Sequence, residues 1–438
     1  MPHRFYIRVL GCAKNLIDVE NLCGRLAERG WLLTDDPYEA EMLILATCAF
    51  IAPAREEAAR VYRQLARIKR ETSAPLVLTG CHPPYFGQKC ACVFPDADCI
   101  LPTWRSDEFA ALAERLLAGE RYDLASPPPD QPPDDDHRLL LTPPHTAYIR
   151  ISDGCSNTCT FCTIPRIRGK HRPKTAEQVR AEASALAALG AKEIILIAQD
   201  TTAWQCPKTR MRLPSLLEKL DAINGIRWIR LMYAHPARIT RRLVRTMLSC
   251  RKIIPYIDAP IQHISDEVLS RMGRAGGRKA VIRAVELLKS VPQICVRTTV
   301  MVGFPGETEA QFEELLDFLR QVRFCRVGVF AYSAEEGTKA ARLEQLPTDV
   351  VRRRFARIRR VASALTLSLH RKLLGKKEKV LVDWVENGVS VCRTYRDAPE
   401  VDGVVYVAGE LEVGGFAEVC FDEARAASII AHPVERQR

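Results

Sequence analysis

No run of residues in this chain is long and apolar enough to span a bilayer. Its start, Met1-Pro-His-Arg-Phe-Tyr6, lacks the basic-then-apolar build of a secretory signal. Both absences point to a cytoplasmic protein without a membrane partner. The paired C-x2-C halves common in zinc sites are also missing. Yet the chain holds 16 cysteines. Without a secretory signal, they argue for metal ligation in a reducing compartment, not for a disulfide framework. Acidic residues fall short of basic ones, 53 against 64, for a formal charge of +11, a balance that suits an anionic partner such as nucleic acid. At 438 residues the chain predicts two or three domains, and 47% hydrophobic residues can fill their cores.

What is present centres on Ile151-Ser-Asp-Gly-Cys155-Ser-Asn-Thr-Cys159-Thr-Phe-Cys162. The run Ala147–Ile151 before it alternates as a strand does, and a basic stretch, Arg166 to Lys174, follows it. The cysteines therefore sit on a loop leaving the C-terminal end of a strand, where α/β folds place their chemistry. Three thiolates at C-x3-C-x2-C can hold a cubane iron–sulfur cluster and leave one iron open to a small molecule. The competing readings are a zinc knuckle completed by His171 and three inert buried thiols.

Residues 1 to about 125 alternate strands (5–10, 41–46, 75–79) with helices (16–29, 54–70), which predicts a parallel, flavodoxin-like sheet. Cys12, Cys48 and Cys81 each follow one of the three strands by a residue or two, so their thiols are expected to converge at one sheet edge. Cys23, Cys90, Cys92 and Cys99 read as packing. Residues 126–145, rich in Pro and Asp, read as an extended, solvated linker. From 146 to 365, six strand–helix units predict a partial barrel, with strands at 147–151, 193–198, 227–232, 254–258, 294–302 and 326–331. Polar residues after these strands (Gln199, Asp200, His235, Gln262, His263) and the turn Gly303-Phe-Pro-Gly306 would lie on the rim that carries Cys155. Gly303 and Gly306 suit close approach of backbone to a ligand.

Residues 349–374 form an Arg-rich amphipathic helix, either a solvated face or a contact for RNA phosphate. Residues 366–438 hold the beginning of a β-rich segment whose short runs predict a small antiparallel barrel. Its charge is reversed: Asp383, Glu386, Asp397, Glu400, Asp402 and others outnumber its arginines. An RNA-binding barrel should be basic; an acidic one suits a basic protein partner.

The cysteine loop, with the aromatic Phe161 before its last cysteine, resembles the radical S-adenosylmethionine superfamily. That resemblance implies a 4Fe–4S cluster on Cys155, Cys159 and Cys162, whose open iron chelates S-adenosylmethionine and cleaves it to a 5′-deoxyadenosyl radical. Superfamily members bind the rest of the cofactor at late strand ends, which suggests Gln262, Arg297 and Gly303. The three-part order resembles the methylthiotransferases, with an N-terminal three-cysteine domain and a C-terminal TRAM barrel of OB-like type. The carrying motifs are Gly11-Cys-Ala-Lys-Asn15, Thr47-Cys-Ala-Phe50, Gly80-Cys81, Ile164-Pro-Arg-Ile-Arg-Gly169 and Gly303-Phe-Pro-Gly-Glu-Thr308.

Within that family, Pro260-Ile-Gln-His-Ile-Ser265 and Asp397-Ala-Pro-Glu-Val-Asp-Gly403 are similar to the RimO-like branch, which modifies an aspartate of ribosomal protein S-twelve. The alternatives are the MiaB-like branch, acting on a tRNA adenosine, and a non-catalytic metal-stabilised ribosome-binding protein. The resemblance implies a second 4Fe–4S cluster on Cys12, Cys48 and Cys81. It also implies S-adenosylmethionine as both methyl donor and radical source, and an electron donor such as flavodoxin or ferredoxin. Ala13, Ala46, Ala49 and His82-Pro-Pro-Tyr-Phe86 depart from the family pattern around the second site. A radical suits the reaction, because an aspartate β-carbon is not acidic enough for general base catalysis.

Overall fold

The computed structural model describes residues 2–434. The first sheet comprises β1 (Arg4–Val9), β2 (Leu32–Leu33), β3 (Met42–Thr47), β4 (Leu76–Gly80), β5 (Cys99–Ile100) and β6 (Tyr122–Asp123), in the order β2-β1-β3-β4-β5-β6 and all parallel. The order of its first five strands is the flavodoxin-like one. β3 and β4 are buried along their whole length, as central parallel strands with helices on both faces must be. Helices Ala13–Glu28 and Ser106–Leu117 bury Val19, Leu22, Phe109 and Ala113 on one face. Helix Ala52–Thr72 buries Ala58, Tyr62 and Leu65 on the other.

The middle region begins with β7 (Thr146–Arg150) and a two-stranded ladder of β8 (Ser152–Asp153) with β9 (Arg172–Pro173). It continues through β10 (Glu193–Ile197), β11 (Trp228–Leu231), β12 (Ile253–Asp258), β13 (Cys295–Val302) and β14 (Arg326–Ala331). Apart from β8 and β9 these strands form one parallel six-stranded sheet, β14 to β7 in reverse chain order, open between its edges. Ile149, Ile194, Leu196 and Val300 face the surrounding helices. Alternation turns Tyr148, Ile195, Tyr256 and Cys295 to the other face, where Ala13 and Ile17 of the first helix and Leu381 and Ala398 of the C-terminal segment pack on them.

The C-terminal segment closes into a barrel of β15 (Lys377–Glu386), β16 (Val389–Thr394), β17 (Val404–Ala408), β18 (Phe416–Ala424) and β19 (Ser428–Pro433). The barrel is not wholly antiparallel, because β17 pairs parallel with β19 after the chain has crossed through β18. Helix Thr348–Arg371 runs unbroken across residue 366, where the sequence reading starts the last domain, since its apolar spacing continues past that point.

The segment 126–145 is not solvated throughout. Asp135 is 2% exposed and accepts from Arg150 (2.5 Å) and Asn21 (2.8 Å), and its other oxygen meets Lys174 at 2.7 Å. Arg138 pairs with Glu20 and Glu182 and donates to the Tyr148 carbonyl. Pro and Asp content signals an extended backbone but does not show whether that backbone is covered. Here it lies in the seam between the first helix and β7. Burial opposes ionisation of the Asp135 carboxyl, but Arg150 and Lys174 prevail and hold it well below the usual range.

Removing Asp135 takes from buried Arg150 and Lys174 one of two carboxylates each, leaving Asp18 and Glu182. Asp135→Ala should therefore lose about 3–5 kcal/mol of stability in urea unfolding, whereas Asp134→Ala, at an exposed neighbour, should change it by less than about 0.5 kcal/mol.

Candidate active site

The loop bearing Cys155, Cys159 and Cys162 is pinched at its base by the β8–β9 ladder and by a hydrogen bond from Cys155 N to Gly169 O (3.0 Å). Gly154 sits there at φ +73°, and a Cβ would come within 2.0 Å of the Lys170 carbonyl oxygen, so only glycine fits. At its far end the loop is held by Thr160 N to Met272 O (3.0 Å), Thr160 Oγ1 to Arg271 O (2.7 Å) and Ala340 N to Thr160 O (2.9 Å). Phe161 stacks edge-on to Phe304, which packs in turn on Tyr332.

All three thiols are partly exposed. Asn157 donates toward Cys155 Sγ at 3.4 Å and Arg274 toward Cys159 Sγ at 3.8 Å. Burial raises the Cys155 thiol and pushes Cys162 up to about 12, with the neighbouring thiols adding to it. Such a set holds little negative charge alone and gains it against a cation.

The three N-terminal cysteines are brought together, as their strand-end positions predict. Cys12 caps the first helix, and Cys48 and Cys81 follow β3 and β4 directly. Gly11 lies at φ +106°, where a Cβ would stand 3.0 Å from Cys48 Cβ and 3.4 Å from its sulfur. Asn15 and Thr47 tie the strand ends. Asn15 Nδ2 donates to Leu10 O (2.5 Å) and Thr47 O (3.3 Å), Cys81 N donates to Thr47 O (2.9 Å), and His82 N to Thr47 Oγ1 (3.1 Å). Burial pushes Cys48 up to about 12, helped by Cys81 and Cys12, and raises Cys81. Cys12 goes the other way: burial opposes ionisation, but Lys14, the Asn15 N–H and Arg168 outweigh it.

The two sets share a wall. Helix Ile164–Arg168 continues from the cysteine loop and presses on the N-terminal strand-end loops. There Arg168 Nη2 lies 3.8 Å from Cys81 Sγ while Nη1 meets Asp18 at 2.6 Å. Thr163 Oγ1 donates to Phe50 O and Arg166 to Tyr85 O. On the opposite side the Lys14 ammonium stands 3.5 Å over the ring of Tyr233, at the end of β11.

Of the divergent residues near the second site, Ala49, Tyr85 and Phe86 pack together, while Ala13 and Ala46 belong to other clusters. Ala49, Cys81, Tyr85 and Ile167 form a small cluster, and His82 stacks on Phe86. Neither Arg168 nor Lys14 receives a role from sequence reasoning, although both fall inside the motifs Ile164–Gly169 and Gly11–Asn15. A guanidinium pointing back at a distant strand has no signature in spacing.

The remaining rim residues are placed differently from one another. Asp200 is buried, accepting from Asn157 (3.1 Å) and Arg238 (2.6 Å), and Gln199 donates to Asp153 (3.1 Å). Gln262, at φ +69°, bridges to Val300 through its backbone. At Gly303 (φ +76°) the close approach is to the basic helix: a Cβ would lie 2.7 Å from Val351. Arg297 is committed to Asp258 (2.8 Å) and Asp402 (3.3 Å), and none of its hydrogen bonds reaches the cysteine loop. His171 Nε2 is buried without a partner. Among the described residues, no three of His, Cys, Asp and Glu converge as a single metal ion requires. A multi-iron group takes its thiolate ligands on separate irons, spread wider than around a single ion. The Gly154 and Gly11 cradles and the N–H donors aimed at sulfur fit such a group.

Comparisons with known proteins agree in outline. Family models match residues 4–102 (Uncharacterized protein family UPF0004), 149–319 (Radical SAM superfamily) and 374–434 (TRAM domain). The chain is 41% identical over 417 residues, 94% of both chains, to the ribosomal protein uS12 methylthiotransferase RimO of Moorella thermoacetica. It is 38% identical over 419 residues, 95% of this chain and 96% of the other, to the protein of that name from a Thermoanaerobacter species. The radical S-adenosylmethionine methyltransferase TsrM from Kitasatospora setae shares the fold at TM-score 0.57 and 13% identity, covering 89% of this chain and 81% of that one.

Two outcomes follow from the electrostatics. In metal-free protein at neutral pH, mass spectrometry should find Cys12 alkylated by iodoacetamide well before Cys48 and Cys81, and Lys14→Ala should slow it. Glu307, which accepts from Gly303 N (2.9 Å), is pushed up to about 7 by burial, with Arg354 and the Gly303 and Phe304 N–H groups opposing. The folded state thus binds this proton more tightly than an unfolded chain, whose glutamate lies near 4.5. Its stabilising contribution is complete below that value and is lost as pH rises toward 7. Relative to Glu307→Gln, the wild type should lose stability across that window in pH-dependent urea unfolding.

Proposed function

The chain belongs to the RimO family of radical S-adenosylmethionine methylthiotransferases, and from that membership we propose that it adds a methylthio group to the β-carbon of an aspartate in ribosomal protein uS12. The observation that carries this reading is the shared wall: the helix leaving the loop of one three-cysteine set puts Arg168 against Cys81 of the other. Cys155, Cys159 and Cys162 would hold one 4Fe–4S cluster with S-adenosylmethionine, and Cys12, Cys48 and Cys81 a second. When bound, the first supplies a radical able to take hydrogen from an unactivated carbon, and the second carries the sulfur to be transferred.

The chain's own residues hold and tune these groups. Asn157 and Arg274 direct N–H groups at the first set of sulfurs, and Arg168 at the second. Lys14, stacked over Tyr233, stands beside Cys12. Gln262 and Gly303 lie on the rim and Arg297 on the inner sheet face, as candidate contacts for the cofactor's remaining parts. An external flavodoxin or ferredoxin would supply electrons.

The division of labour follows the proposed domains: 1–125, 146 to the end of the long helix at Arg371, and the barrel beyond, joined by 126–145. The acidic barrel favours a basic protein over tRNA, though less simply than its composition implies. Asp383, Asp397 and Asp402 are internal, paired with Arg393, Arg326 and Arg297. Glu386, Glu400, Glu410 and Glu418 remain at the surface. On the long helix, Arg354 and Arg357 are taken up by Glu307, Glu309 and Glu313. That leaves Arg352 and Arg360 for any neighbouring RNA. No described helix is long and apolar enough to cross a membrane.

Anaerobic reconstitution tests the reading. Cys159→Ala should abolish reductive cleavage of S-adenosylmethionine. Cys48→Ala should keep cleavage and lose methylthio transfer to uS12, both followed by mass spectrometry. Modification of bulk tRNA with uS12 untouched would assign the protein to the tRNA branch.

A further inference from the structure

Residues 238–289 hold 12 basic residues against four acidic ones. The excess gathers on two neighbouring helices that come after β11 and β12, Arg241–Ser249 and Gly277–Lys289. Neither has a carboxylate in its first turn, where the helix dipole favours one. Each carries two cations there instead, Arg241 with Arg242 and Arg278 with Lys279. Glu286 is the one acid on either helix. Arg241, Arg242, Arg245, Lys279 and Arg283 are exposed, and among the described residues none of the five meets a carboxylate. Arg242 donates to Ser215 Oγ (2.7 Å) and Arg283 to the Ala237 carbonyl (2.9 Å). Nearby acids are already engaged: Asp200 with Arg238, Glu314 with Arg278, and Asp266 with the Arg278 N–H.

This patch adjoins the cysteine loop. A Cβ on Gly273 would stand 2.6 Å from the carbonyl oxygen of Thr158, inside the loop, and one on Gly276 would stand 3.5 Å from Ala237 Cβ, where Arg283 also reaches. Three residues of chain span at most about 11 Å, so the two contacts are no farther apart than that. Between the two glycines, Arg274 turns Nη1 to Cys159 Sγ (3.8 Å) and Nη2 to Pro260 O (2.8 Å).

A surface of this sign repels a basic substrate such as the one the acidic barrel suits. Nucleic acid would find contacts for phosphate but no ring to stack a base on, since neither helix has an aromatic residue, and it would gain nothing from nearness to the sulfurs. The radical reading, by contrast, needs an electron brought from outside to this loop. We propose that the patch docks the electron donor, a small acidic carrier protein, with Arg241, Arg245, Lys279 and Arg283 meeting its carboxylates and Arg274 standing between the dock and Cys159. The carrier is oxidised by one electron and the cluster reduced by one; no bond forms, and the partners separate. Such encounters use small interfaces steered by charge. The inference rests on the reading of Cys155, Cys159 and Cys162 as the radical cluster's ligands and names the face through which that cluster is reduced.

The probe is an acidic flavodoxin, titrated by fluorescence anisotropy against full-length protein, both metal-free and reconstituted. Wild type should bind in both forms, more weakly as salt rises. Arg241→Glu with Arg245→Glu, and Lys279→Glu with Arg283→Glu, should each weaken binding about tenfold, as two exposed attractions become repulsions. Arg352→Glu with Arg360→Glu, an equal charge change on the long helix, should leave binding within about twofold. In anaerobic stopped flow the patch variants should be reduced more slowly by reduced flavodoxin, and at the wild-type rate by dithionite. Binding that is absent in the wild type, unchanged by both patch pairs, or lost equally in the long-helix pair overturns the dock. So does a short oligoribonucleotide that the patch variants release while flavodoxin binding holds. A wild type that cleaves S-adenosylmethionine with dithionite yet fails these binding tests loses the dock alone. One that dithionite reduces without cleavage brings down the radical reading and this inference together.

Discussion

A chain of buried charges holds the two cysteine sets in one register. Asp18 on the first helix meets Arg150 of β7 and Arg168 beyond the cysteine loop, both at 2.6 Å, and Asp135 from the connecting segment meets Arg150 and Lys174. All five side chains are nearly inaccessible. Buried ion pairs add little net stability over apolar packing, but breaking one leaves an uncompensated charge. Such a network discriminates among arrangements: a slip of the N-terminal sheet against β7 would part Asp18 from two cations, Arg150 and Arg168, at once. Arg168 is the member that also touches Cys81. The constraint that docks the domains is therefore the one that fixes the position of the second sulfur set relative to the first.

How far the sequence could be read depended on whether a feature is local. Strand periodicity placed every long strand of the two parallel sheets, and cysteines at three strand ends implied their own meeting, because a parallel sheet aligns those ends. Local composition could not say what covers a segment. Residues 126–145 look solvated by their Pro and Asp content, yet Asp135 and Arg138 are among the most enclosed charges in the molecule. The same limit applied to the acidic barrel, where Asp402 belongs to an internal pair with Arg297 and a hydrogen bond from Tyr256 (2.7 Å). The last strand, Ser428–Pro433, went unread in the sequence, and its parallel pairing with β17 is what departs from the antiparallel barrel expected.

The site shows the same division. Six cysteines were legible because thiols are rare and their spacing is chemical. Arg168 and Arg274 were not, since each acts through space on an element it does not belong to, and Asn157 and Lys14, two residues from Cys155 and Cys12, carry no spacing signal of their own. At Gly303 the glycine was legible but its reason was not. Positive φ and a close approach are both present, and the approaching group is Val351 of the long helix. A glycine reports that something comes near, without saying what.

The C-terminal barrel is fastened beneath the sheet by Arg393 to Glu193 (2.6 Å), Arg230 to the Tyr395 carbonyl (2.8 Å) and Lys192 to the Gly414 carbonyl (2.6 Å). Glu193 and Arg230 are fully enclosed. A module so bolted cannot swing as a tethered arm that searches for its target and delivers it. It works instead as a depth gauge: the height of its outer surface above the cysteine loop is a built-in length. A partner resting on that surface would have to offer its reactive carbon on a projection of matching reach.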